Sequence, residues 1–299
     1  MLEFEPIKLS DKFWIDPIVK AENSRSADYS FANIYIWNKR FNQQVAKCNE
    51  RFIVMPMYAE KPFFVYPVGS GDLAPVINEM RLYAEAHGFP FTMRGVTVRH
   101  MGELNNLFPK KFDFFENRDY YDYIYTAEKL ATLSGKKLHG KRNHINRFLE
   151  SNDWSFEPLT PKQIPECMAM LENWTEMNRD KLDQGLLDEH DAIIRAFENY
   201  RYLGLEGGIL RSGGRIIAFT VGEKISGDTY DIHFEKAYSD IQGAYPMVNR
   251  EFVRLIRALH PEIIYINRED DMGHENLRRA KLSYYPEFLI EKYTAIWRS

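Results

Sequence analysis

Apolar positions between residues 205 and 259 recur with two different periods. Strand-like runs at Gly208–Arg211 and Arg215–Glu223 flank Ser212-Gly213-Gly214, whose glycines can take positive φ, so the pattern predicts a hairpin. A third strand is predicted over Thr229–Lys236, after the turn Ser226-Gly227-Asp228. From Ala244 the period changes: Val248, Phe252, Leu255, Ile256 and Leu259 mark one face of a helix. Pro246 fits its first turn, where no backbone N–H is needed.

The first half shows a similar order. Strands are predicted at Gln43–Lys47, Phe52–Met57 and Phe63–Val68. The turn Gly69-Ser70-Gly71-Asp72 leads into a helix with Leu73, Val76, Ile77, Met80, Tyr83 and His87 on one side. Short elements follow at 89–93 (strand), 102–107 (helix) and 111–115 (strand). The second half matches them with a strand at 263–267, a helix at 275–282 and a strand at 287–297. Helices at 161–179 and 188–203 precede its hairpin. Near the N-terminus Ser10 or Asp11 can cap a helix carrying Phe13, Trp14 and Ile18, while Asp28–Trp37 fits helix and strand equally. The repeat is one of element order, without residue identity. Strands mixed with crossover helices predict an α/β fold with a mixed, mostly antiparallel sheet in each half. The expected boundaries are residues 1–125, a basic helical connector at 126–155, and 156–299.

A net charge of −4 gives the chain no global attraction to nucleic acid, so any anion site must be local. One such patch is present, because no acidic residue lies between Glu128 and Glu150. On a helix there, Lys137, Lys141 and His144 share one face, and Leu138, Ile145 and Leu149 another. That basic face suits a phosphorylated donor, tRNA or anionic lipid, or is a solvated helix surface. No base-stacking aromatics are interleaved with it, so sequence-specific RNA reading is not supported. Cys48 and Cys167 lie far apart with no ligand-spaced partner, so neither a metal site nor a disulfide is expected. Acidic residues stand where a leader peptide would be basic, and no window of 18 apolar residues exists, so a cytoplasmic location is expected.

Four stretches carry a family resemblance: Tyr29-Ser30-Phe31-Ala32-Asn33 with Trp37; Lys141-Arg142-Asn143-His144-Ile145; His233-Phe234-Glu235-Lys236-Ala237; and Asn267-Arg268-Glu269-Asp270-Asp271-Met272-Gly273, followed by Leu277–Pro286. Together they resemble the phosphatidylglycerol lysyltransferase C-terminal-domain family in its short, stand-alone bacterial form, related to the Fem-type aminoacyltransferases of peptidoglycan synthesis. The resemblance covers essentially the whole chain. It implies two tandem domains like the GCN5-related N-acetyltransferases (GNAT-like), the second holding the better-formed cleft. It also implies movement of an aminoacyl group from charged tRNA to a lipid headgroup. These 299 residues carry no membrane-embedded half, which shifts the expectation from a lipid acceptor toward acyl or aminoacyl transfer in general.

Such a transfer needs an acceptor that loses a proton, a stabilised oxyanion and two aligned substrates. Alternation along the third strand puts Asp231, His233 and Glu235 on one face, and makes His233 and Glu235 candidate general bases. A structural network tying sheet to helix is the other reading of the same residues. Tyr245, at the helix entrance, is the candidate proton donor to a leaving group. Asn267, Glu269 and Asp271 lie just past a strand end and, with Asp231, could bind a cationic group; Asp271 fits helix capping equally. The loop Asp240–Ala244 is similar to half of the acetyltransferase glycine signature. Gln242 and Gly243, with Lys137, Lys141, Arg142 and Lys236, are therefore the expected contacts of donor phosphate. The donor is expected to be aminoacyl-tRNA, with no covalently bound cofactor and no metal. An acyl-coenzyme A-dependent N-acetyltransferase acting on a small amine and a non-catalytic ligand-binding protein are the competing readings. The acceptor is a small molecule or a lipid headgroup, and peripheral membrane contact is compatible with both.

Overall fold

The computed structural model describes residues 2–59 and 61–298 and divides the chain into two compact units. Unit 1 comprises the chain up to Asp122, residues 270–274 and the C-terminal stretch from Leu289; unit 2 comprises Tyr123–Glu269 and Glu275–Phe288.

In unit 1 a short strand β1 (Glu5–Pro6) precedes α1 (Lys12–Glu22), which buries Ile15, Ile18 and Val19 and ends at Asn23 with left-handed φ. The ambiguous aromatic stretch resolves as helix: Ser30 Oγ accepts the Asn33 N–H and starts α2 (Phe31–Ile36), followed by α3 (Asn38–Phe41). Strands β2 (Gln43–Cys48) and β3 (Arg51–Pro56) form a hairpin whose two turn residues, Asn49 and Glu50, both have positive φ. The single strand expected at 63–68 is two, β4 (Phe64–Val65) and β5 (Val68–Gly69), and they join different sheets. Pro67 between them cannot donate to a ladder. Asp72 then caps α4 (Leu73–Ala86), and β6 (Thr92–Thr97), α5 (Val98–Leu107) and β7 (Phe112–Glu116) follow.

Unit 2 begins along β8 (Asp122–Thr126) and continues through α6 (Ala127–Thr132), α7 (His139–Ser151), β9 (Trp154–Pro158), α8 (Ile164–Met177), α9 (Gln184–Glu198) and α10 (Tyr200–Leu203). The predicted hairpin and third strand appear as β10 (Glu206–Ser212), β11 (Arg215–Lys224) and β12 (Thr229–Ala237). The long helix is α11 (Ala244–Leu259), then β13 (Tyr265–Asn267), α12 (Glu275–Leu282) and β14 (Phe288–Ile290). The sheet order is β14-β8-β13-β12-β11-β10-β9; β12 and β13 run parallel, and the pairs from β12 to β9 and β13 with β8 are antiparallel. The basic segment is thus part of unit 2 and not a separate connector.

The expected C-terminal strand also splits. Its second piece, β15 (Lys292–Trp297), lies between β6 and β7 in unit 1, so the C-terminus does not belong to the second unit as the sequence order suggested. Lys292 fixes it there: its buried Nζ donates to Asp28 Oδ1 and Asp122 Oδ1, both at 2.7 Å. Burial opposes that charge, but the two carboxylates outweigh it and hold the ammonium pKa above its ordinary value.

Candidate functional site

The geometry of unit 2 turns on one irregularity. Between β11 and β12 the register steps from Val221–Phe234 to Gly222–Ile232, leaving His233 as an extra residue, a β-bulge. Gly222 makes room for it, since a Cβ there would meet the Asp231 carbonyl. The bulge breaks the alternation expected for β12. Asp231 and His233 share one face; Glu235 lies on the other, against α11. The predicted row of three ionisable groups is therefore divided between two clusters.

On the first face His233 Nδ1 lies 2.9 Å from Glu269 Oε1 and 3.2 Å from Asp231 Oδ2, and Nε2 lies 3.2 Å from Glu223 Oε1. Burial alone would lower the pKa of this imidazole. The charge of Asp231 and the hydrogen bonds to Glu223 and Glu269 overcome that and raise it well above the ordinary value. A protonated ring with both nitrogens facing carboxylates is an acid, so the general-base role expected of His233 does not fit its surroundings. Glu269 reaches the ring from a left-handed turn (φ 54°), in which its N–H donates to Asn267 Oδ1 at 2.7 Å. Asn267 thus shapes the turn. Asp231, His233 and Glu269 each offer a ligand atom within 4.8 Å of the others, and a cation could replace the imidazole proton among them.

The second face holds a cluster that the sequence reading assembled only in part. Glu235 Oε1 accepts from Asn249 Nδ2 of α11 at 2.8 Å, and Oε2 pairs with Arg268 Nη2 at 2.5 Å. The Arg268 guanidinium lies 4.9 Å from the Tyr284 ring centroid, and Lys141 Nζ of α7 lies 4.0 Å from the same ring. Lys281 Nζ donates to the Arg268 carbonyl at 2.5 Å and the Tyr125 hydroxyl to the Lys281 carbonyl at 2.7 Å, which fixes the backbone behind the guanidinium. Burial and the neighbouring guanidinium bring the Lys141 ammonium down to about 8. Three buried atoms here have no hydrogen-bond partner: Arg268 Nε, Arg268 Nη1 and Asn249 Oδ1. Glu235 and Arg268 keep 10% and 15% of their side-chain surface exposed, so the cluster reaches solvent. Arg268, Asn249 and Tyr284 were not singled out as site residues, since an Arg, an Asn and a Tyr carry no spacing signal of their own.

Two of the remaining predicted contacts have structural partners. Lys236 Nζ pairs with Glu189 at 2.7 Å over the Trp174 ring, and Arg142 Nη1 donates to the Leu133 and Gly135 carbonyls. Neither guanidinium nor ammonium is left facing a donor phosphate. Gly243 (φ 88°) packs so closely on the His144 carbonyl and Phe148 of α7 that no Cβ fits. Of the first amides of α11, that of Ala244 donates to the Ile241 carbonyl, that of Met247 to the Gly243 carbonyl, and Pro246 has none. The loop at Gln242 and Gly243 is thus packed against α7 on the side where a Gly243 Cβ would lie. On α7 itself Ile145 and Phe148 are buried, Leu149 is exposed, and Lys137 is exposed 5.2 Å from the Tyr285 ring centroid. Tyr245 is partly exposed, its phenol pushed up by burial. Asp271 belongs to unit 1, accepting the Gly273 N–H at 3.0 Å and facing Arg118, which makes it a turn residue and not a substrate contact.

Comparison with known proteins agrees with this architecture. The family model described as phosphatidylglycerol lysyltransferase, C-terminal, matches residues 20–296. The chain belongs to that family. A crystal structure of a conserved protein of unknown function from Bacteroides thetaiotaomicron is 39% identical, with each chain covered over 100% and a TM-score of 0.94. The structure of L-PGS from Bacillus licheniformis is 17% identical, with 99% of this chain and 94% of that one covered at a TM-score of 0.65. The fold is shared with that structure and with FemX, as the resemblance to Fem-type proteins implied. An uncharacterised protein of Mycoplasmoides gallisepticum is 29% identical over 175 residues, 58% of this chain and 54% of that protein; the match spans about half the length of that relative. Among the described residues no helix is long and apolar enough to cross a membrane.

Proposed function

We propose that the chain is an acyltransferase that moves an aminoacyl group from charged tRNA to an amine or hydroxyl acceptor. One observation carries this reading: the Glu235 cluster leaves two donors, Arg268 Nε and Nη1, and one acceptor, Asn249 Oδ1, buried and unused. An aminoacyl ester supplies the complement, a carbonyl oxygen for the guanidinium and an α-ammonium for the amide oxygen. An acetyl group offers only the first. The exposed Lys136, Lys137 and Arg147 of the α7 segment give a basic surface suited to tRNA phosphates.

In this mechanism the acceptor nitrogen or oxygen attacks the ester carbonyl carbon. The charge that develops on the carbonyl oxygen is met by Arg268, whose position is fixed beforehand by Glu235 and Tyr284. Lys141, near neutrality at about 8, takes the acceptor proton as its free amine. The carbon–oxygen bond to the tRNA ribose then breaks, and the same proton passes to the departing ribose oxygen. Thermal-shift titration of the purified chain with aminoacyl-tRNA and with acetyl-coenzyme A tests this. Stabilisation and acyl transfer with the charged tRNA are expected; stabilisation by coenzyme A alone overturns the reading.

A further inference from the structure

Unit 1 contains a cavity of about 160 Å³ that the proposed transfer chemistry does not use. Its walls are aromatic, with Trp37, Phe41 and Phe63 among them, and Arg94, Asn33 and Asp28 supply the polar groups. Arg94 stacks its guanidinium 4.0 Å from the Phe63 ring centroid and makes no ion pair with any described carboxylate. Asn33 is held by its own amide, since Nδ2 donates to the Ala27 carbonyl at 3.1 Å. That bond orients Oδ1, which is buried and has no hydrogen-bond partner. Asp28 is anchored by Lys292 at 2.7 Å, and its side chain keeps 30% of its surface exposed.

We infer that this cavity is a ligand site for a small zwitterion with an apolar body, the chemistry of a free amino acid with an apolar side chain. A guanidinium backed by an aromatic ring suits a carboxylate. An orphaned amide oxygen beside a carboxylate suits an ammonium. The aromatic walls take the side chain, and a cavity of this volume holds a group of roughly benzene size. None of this depends on the transfer reaction assigned to unit 2.

The test is isothermal titration of the full chain with L-leucine and L-phenylalanine, alongside 3-phenylpropionate and phenethylamine as probes lacking one charge each. Saturable binding of at least one amino acid is expected, with the single-charge probes about tenfold or more weaker. In Arg94→Met, affinity for the amino acid should fall about tenfold, while phenethylamine binds as it does to the unaltered chain. The inference is overturned if no amino acid saturates below about 10 mM, if the single-charge probes bind equally well, or if Arg94→Met changes nothing. The probe series on the unaltered chain decides the matter even if the variant does not fold.

Discussion

The two faces of β12 put similar residues to opposite uses. On one, His233 is enclosed by Asp231, Glu223 and Glu269, and both of its nitrogens are engaged. On the other, Arg268 meets one carboxylate, that of Glu235, and keeps two buried N–H groups in reserve. The first arrangement ties β12 to β11 and to the turn after β13. The second holds donors fixed toward something the protein does not supply. Density of charge therefore does not distinguish a site from a strut; what separates the two faces is the cation, since both His233 nitrogens are engaged while Arg268 keeps Nε and Nη1 buried and unused.

Replacing the imidazole gives the largest expected effect. His233→Leu leaves the carboxylates facing one another and should cost about 3–5 kcal/mol in urea denaturation. The sign of its pH dependence follows from the raised pKa. The stabilisation is complete below about pH 6.5 and is lost as pH rises through the higher folded value, so the unaltered chain should weaken on alkalinisation more than His233→Leu does. Equal pH profiles for the two proteins would show that His233 is not held protonated.

Arg268→Met should lower aminoacyl transfer roughly 10²–10³-fold while the protein stays folded by circular dichroism. Transfer unchanged in this variant would move the active centre away from the α11 face of β12. Lys141→Met should cost about a hundredfold in rate. In the unaltered chain the rate should rise with pH through about 8, as the ammonium gives up its proton, and the variant should lack that inflection. The smallest effect is expected at the loop. Gly243→Ala forces a side chain into left-handed backbone against the His144 carbonyl and should cost about 2 kcal/mol, read as a lower melting temperature.

Much of the fold was legible in the residues. The hairpin of β10 and β11, the helix α11 and the helix Glu275–Leu282 lie where periodicity and turn residues put them. Local rules sufficed there, because each element states its own period and its own ends. Asp231, His233, Asn267 and Glu269 were also picked out, and the structure does gather them. What failed was the inference from alternation to a common face. A bulge depends on the partner strand, and nothing in Thr229–Lys236 announces that Gly222 will admit an extra residue.

The sequence by itself determined most of the longer elements, their order and the family, because hydrophobic period, turn glycines and helix caps act over a few residues. Only the tertiary structure decided that Arg268, Asn249, Lys141 and Tyr284 meet around Glu235, that α7 packs against the loop at Gly243, and that β15 lies between β6 and β7 in unit 1. Those outcomes depend on which distant groups share a low-dielectric space and which of their hydrogen bonds remain unmade, and neither is a property of any one segment.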